Sequence, residues 1–172
     1  MSESVFIKRG IADYIIAALA ACHDLDSVQL FIRGVAPTPV RIDQYPYTEI
    51  VILEEAIEPR RRGVESGQIY RGQITVYTAL SQIAGGDFLT PTGDRTARLQ
   101  SYDAVEELVF YIRNELAREE HANLGGLVIG DESVSLFVLT GPFEYGMGPG
   151  ERNDNYENYG ALPFEVRTEK VQ

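Results

Sequence analysis

Apolar positions recur at three- and four-residue steps between Ser101 and Glu120. Val105, Leu108, Val109, Ile112 and Leu116 share one face, while Glu106, Glu107, Arg113, Asn114 and Arg118 fall mostly elsewhere. That spacing predicts an amphipathic helix, with Asp103 and Glu106 reading as a capping pair at its start. A similar stripe of Ile11, Ile15, Ala18, Leu19 and Cys22 predicts a helix over about 7–23, ended by Asp24 and Asp26.

The other apolar runs are short and strand-like. Val28–Arg33 is β-branched and aromatic, and residues 34–46, with three prolines, read as an irregular crossing. Thr48–Glu58 is apolar on both parities: Ile50 and Ile52 face one way, Val51 and Leu53 the other. That pattern predicts a strand covered on both sides. Gln68–Leu80 alternates, with Tyr70, Ile74, Val76 and Leu80 on one parity and Arg71, Gln73, Thr75 and Tyr77 on the other. The two segments predict a long hairpin with Arg60, Arg61 and Arg62 at its tip. Residues 81–100 read as a glycine-rich polar loop. Two short strands are predicted over 127–129 and 134–140. Residues 141–160, rich in Gly, Asn and Tyr, show no periodicity and read as a long loop, flexible or ordered by a partner. In the closing strand, 161–168, Pro163 argues for a place at a sheet edge. The order helix, three strands, helix, three strands defines an α+β fold: a mostly antiparallel curved sheet with two helices packed on it, in a single domain (1–172) with extended loops.

Composition narrows the function by exclusion. A net charge of -11 repels a phosphate backbone and disfavours broad nucleic-acid binding. The single cysteine, Cys22, excludes an intrachain disulfide, and no apolar run reaches membrane-span length. Leu19-Ala20-Ala21-Cys22 has the form of a lipoprotein box, but Glu3 and Asp13 interrupt the basic and apolar regions it requires. An amphipathic first helix accounts for the same residues.

Candidate catalytic groups do not converge along the sequence. Cys22 and His23 are adjacent and diverge on a helix; His121 lies far away, and no Cys pair or His-x-x-x-His spacing marks a metal site. The pairs Glu54-Glu55, Glu106-Glu107 and Glu119-Glu120 splay apart. Gly146–Gly150 lacks the helix start that a phosphate loop needs, and Pro149 removes a donor. No catalytic, cofactor-binding or metal residue is therefore assigned. Two features remain as contact candidates. Arg60, Arg61 and Arg62 read either as a solvated tip or as a contact for a neighbour's acidic surface. Phe143, Tyr145, Tyr156 and Tyr159 are costly to expose and favoured at interfaces.

The succession of a short helix, a long hairpin ending in IYRGQITVYTAL, a helix opening DAVEEL, a small hairpin and a closing LPFEVRT resembles the tail terminator (tail completion) proteins of long-tailed bacteriophages, from about residue 7 to residue 168. The resemblance implies a non-enzymatic virion protein of the tail and neck, assembled in the host cytoplasm. It implies a ring, expected to be a hexamer, that ends tail-tube polymerisation and joins the tube protein to the head–tail connector or stopper. DNA would only pass through the lumen, and neither a cofactor nor a membrane would be involved. Alternatives are another neck or tube component, such as a head–tail stopper or joining protein, and a divalent-metal-dependent enzyme.

Overall fold

A computed structural model describes residues 3–36, 40–57, 67–79, 91–149 and 156–171. Its architecture is α+β: two helices lie on one face of a curled, mostly antiparallel seven-stranded sheet. Helix α1 spans Glu3–Ala20 and α2 Pro91–Leu116. The strands are β1 Leu30–Arg33, β2 Tyr47–Ile57, β3 Gln68–Ala79, β4 Val128–Ile129, β5 Glu132–Leu139, β6 Glu144–Pro149 and β7 Tyr156–Lys170. The sheet order is β1-β2-β3-β7-β5-β4, with β6 also on β7, and β1–β2 is the parallel pair.

The predicted stripes are the faces that pack. Val105, Leu108, Val109, Ile112 and Leu116 of α2 are all buried, as are Ile11, Ile15 and Leu19 of α1. They close over Ile50, Tyr70, Ile74, Val76, Leu162, Phe164 and Val166. At about 25 cal/mol per Å² of apolar surface, this shared core is the main source of stability. Helix α1 lies over β1 and β2, and α2 over β3 and β7. The sheet curls far enough that a Cβ on Gly10 of α1 would stand 2.1 Å from Ile129 Cδ1 on β4. Glycine is what admits that approach.

The second helix begins at Pro91, well before the first residue of its apolar stripe, Val105, so Asp103 lies inside it and is not its cap. Proline suits a first helical turn, where its missing N–H costs nothing. The two-sided cover expected along β2 also stops early. Ile50 is buried, Val51 and Ile52 are half-buried, and Leu53 is 67% exposed at a bulge between Ile52 and Glu54.

The largest departure concerns 141–160. This segment supplies β6 and the start of β7, which pair from Glu144↔Ala161 to Pro149↔Tyr156. A fourth strand therefore follows α2. β5 and β6 run in the same direction along one side of β7, β5 against its second half and β6 against its first. They form one lane broken at residues 140–143. The closing strand is not at an edge: β7 lies between β3 on one side and that lane on the other. Pro163 is tolerated there because the Thr140 N–H donates to its carbonyl at 2.8 Å. In a strand a residue's N–H and C=O point to the same side. The missing donor therefore faces the break between β5 and β6, where no ladder bond is lost.

With β1 and β6 at the upper end of the sheet and Ile57, Gln68 and Thr168 at the lower end, the described strands fill half of each edge. On the left edge, β1 pairs only with Tyr47–Ile50 of β2. On the right edge, β5 and then β4 fill the lower half, and β6 is outermost above.

Candidate assembly surfaces

At the upper end of the sheet face turned away from the helices, the crossing 34–46 packs Ala36, Val40 and Tyr45 against Tyr47 and Ala79. Four tyrosines form a row across the strands. Ring centroids are 5.0 Å apart for Tyr45–Tyr47, 4.7 Å for the stacked Tyr47–Tyr77 and 6.2 Å for Tyr77–Tyr159. Such pairs add about 0.5–1.5 kcal/mol each beyond burial. Two buried carboxylates anchor the row. Glu49 accepts from the Ala36 N–H at 2.8 Å and the Tyr77 hydroxyl at 3.4 Å, and Glu157 accepts from the Tyr45 hydroxyl. Burial, and then the charges of Glu157 and Glu49 among others, push the Tyr47 hydroxyl well above its ordinary range, so it stays protonated. These contacts lock the described part of the crossing onto the sheet.

Below that row the same face carries a charged ladder. Arg71 of β3 donates to Glu54 of β2 and Glu165 of β7, each at 3.1 Å, and Arg167 donates to Glu165 at 2.9 Å. The Arg167 bond, opposed in part by burial and reinforced by Arg71, holds the Glu165 carboxyl below its usual range. Leu136 and Val138 stand exposed on the neighbouring β5.

A third cluster joins the two helices. The buried His121 has its Nδ1 2.9 Å from the Tyr14 hydroxyl and its Nε2 3.1 Å from Glu115 Oε1. A carboxylate only accepts, so Nε2 carries the proton. In the neutral imidazole Nδ1 then accepts from Tyr14. Burial alone would raise the Glu115 carboxyl; hydrogen bonds from His121 and Arg118 outweigh it and hold the group below its ordinary value. Ligand atoms of Glu115, Glu120 and His121 lie within 4.8 Å of one another, which is a spacing that can hold a cation. Here both ring nitrogens already have partners and Arg118 is paired to Glu115 and Glu120, so the cluster is satisfied as a pin between α1 and the end of α2. Sequence reasoning missed it because Tyr14 is remote, and His121 meets Glu115 only after the chain turns back past Leu116.

The contact candidates separate. Arg60, Arg61 and Arg62 lie outside the described residues. Tyr156 opens β7 opposite Pro149. Phe143 is half-buried against the main core, whereas Tyr145 and Tyr159 are 39% and 37% exposed. Tyr145 of β6 pairs with Gly160 and points to the helix face; Tyr159 belongs to the tyrosine row on the other. The four aromatics therefore do not form one patch.

Two opposite corners carry groups of exposed apolar side chains, while Val35, Phe110, Val128, Leu136, Val138 and Val171 are exposed elsewhere. Beside the open lower half of β2 stand Leu53, Ile57 and, at the start of α1, Val5 and Phe6. Val5, Phe6 and Ala12 together with Ile50, Val51 and Ile52 line a groove of about 410 Å³, rimmed by Lys8, Arg9 and Arg33. At the other corner stand Tyr145, Met147 and Tyr159. The sequence did not signal the first corner: Leu53 reads as covered on the second face of its strand, and Val5 and Phe6 lie ahead of the predicted first helix.

No family model matches the chain, and no curated protein matches it. Among solved structures, it is similar to a chain from the virion of a native gene transfer agent (GTA) particle, at 15% identity and a TM-score of 0.40, over 92% of this chain and 94% of that one. Among the described residues, no helix is long and apolar enough to cross a membrane.

Proposed function

We propose that this chain is a non-enzymatic structural protein of a phage-like virion. It forms a ring at the neck, expected to be a hexamer, that ends tail-tube assembly and joins the tube to the head connector. The observation that carries this reading is that two opposite corners of one sheet each present a group of exposed apolar residues. Leu53, Ile57, Val5 and Phe6 stand at one corner and Tyr145, Met147 and Tyr159 at the other. Two unlike surfaces on one molecule suit head-to-tail contacts, which close into rings. Support also comes from the resemblance in element order to tail terminators. The buried acids Glu49, Glu132 and Glu157 and the buried His121 are occupied in structural hydrogen bonds. An acidic molecule can line a channel without retaining DNA. Arg60, Arg61 and Arg62 are proposed as contacts to a neighbour or the tube, and Phe143, Tyr145, Tyr156 and Tyr159 as residues at or beside a subunit contact.

The test is to tag the chain in particles that carry it and image them after labelling. Label at the junction of head and tail, with particles lacking the chain showing tubes of uncontrolled length, is the expected result. Label along the whole tube would instead make it a tube component.

A further inference from the structure

We propose that copies of this chain join by antiparallel strand addition, β6 of one copy pairing with the open lower half of β2 in the next. This inference rests on the ring reading above and specifies the contact that closes it.

The receiving edge is built by the early end of β1. The Gly34 N–H donates to the Ile50 carbonyl at 2.8 Å, and the chain then turns away at Gly34, whose φ is 81°. The alternation that aims Ile50 outward next aims the backbone of Ile52 outward, and no described strand meets it. The groove beside this edge extends it where β1 stops, with Val5, Phe6 and Ala12 as its wall. Bare strand edges are templates for pairing, and natural proteins usually shorten or cover them. Here the edge is instead flanked by exposed Leu53 and Ile57.

The donor is β6, six residues long, which among the described residues pairs with β7 alone. Its direction fits. β2 runs down the sheet from Tyr47, opposite Tyr77, to Ile57, opposite Gln68. β6 runs up it, from Glu144 opposite Ala161 to Pro149 opposite Tyr156. Two copies set side by side in the same orientation therefore present these edges to each other as an antiparallel pair. The gaps are diagonal, lower left and upper right, so the neighbour is displaced along the strands. Closed barrels accommodate such a stagger by tilting their strands. Charge agrees as well. Lys8, Arg9 and Arg33 at the groove outnumber their ion-pair partners Asp13 and Glu55. In a chain of net charge -11, a basic rim suits a second copy of the same chain. Met147, 45% exposed, is the apolar side chain available to cover Leu53.

Placing Leu53 opposite Met147 in antiparallel register brings Ile57 near Glu144. A cysteine panel in a Cys22→Ser background tests this on exposed positions that leave the core intact. Leu53→Cys and Ile57→Cys proteins are each mixed with Glu144→Cys or Met147→Cys proteins at high concentration and oxidised, with the mass of the uncross-linked wild type measured in parallel. The expected products are 53–147 and 57–144 heterodimers, at least about tenfold above 53–144 and 57–147. The reverse pattern means parallel pairing and overturns the proposal. An oligomer that forms without any of these links overturns the strand pairing and leaves the ring standing on another surface. A chain that stays monomeric at every concentration and never cross-links overturns both.

Discussion

Single residues carry more than their positions suggest, and Glu49 is the clearest case. It is buried on β2 and accepts both the Ala36 N–H and the Tyr77 hydroxyl. Glu49→Ala leaves a buried backbone donor unpaired, so urea unfolding should show a loss of about 1–3 kcal/mol, with Glu49→Gln costing less because it keeps an acceptor. Equal losses for the two would mean that the acceptor is not what matters. Glu115 makes a pH-dependent prediction. Its folded-state carboxyl titrates below the ordinary 4.5, because the upward push of burial is outweighed by bonds from His121 and Arg118. A depressed carboxyl stabilises the fold above its unfolded value and loses that contribution as pH falls through the folded one. Thermal midpoints should therefore drop below about pH 4.5, and Glu115→Gln should lower the midpoint at neutral pH while making this acid drop shallower. A variant with an unchanged acid profile would remove Glu115 from the account. These residues were not legible in the sequence: an acid inside an apolar strand and a histidine after a helix carry no local sign of distant partners.

At the scale of elements, apolar stripes were legible and their ends were not. All five stripe residues of α2 are buried, yet the polar turns from Pro91 onward gave no periodicity to read. β6 failed for another reason. Tyr145 and Met147 do alternate, but the residues between and after them, Gly146 and Gly148, are so small that the run reads as loop. Its strand character comes from register with β7, a tertiary effect. Pro163 misled because the rule that places proline at an edge concerns a missing donor, and a broken lane meets that need inside the sheet. Gly72 shows the same dependence on neighbours. A Cβ there would lie 2.5 Å from the Val51 carbonyl oxygen and 2.4 Å from Phe164 Cζ. Phe164 is fully buried and cannot yield freely. Gly72→Ala should cost about 1–3 kcal/mol by overpacking. A neutral result in chemical unfolding would mean that β2 shifts without loss.

For the whole molecule, assembly and folding should separate. Leu53 and Ile57 are 67% and 73% exposed and contribute little to the core. Leu53→Asp with Ile57→Asp should leave the monomer's stability within about 0.5 kcal/mol for each change, yet abolish assembly as measured by light scattering. Assembly unaffected by the pair would move the contact to another surface. The α+β class followed directly from the patterned segments. The surfaces did not, because exposure at a corner depends on where β1 stops and on which strands share a lane.

The strand at the middle of the sheet comes after all the others in the sequence. Until residues 156–170 have been synthesised, the inner edges of β3 and β5 and the whole of β6 lack the strand they pair with. A nascent chain therefore holds a β2–β3 hairpin with its inner edge bare, a short β4–β5 pair and an unpaired β6 for as long as synthesis takes to reach β7. Chains that wait in this way are prone to pair with one another. The sheet closes in one late step, and a ribosome-stalled chain ending before Tyr156 should be protease-sensitive throughout, not folded in its first half.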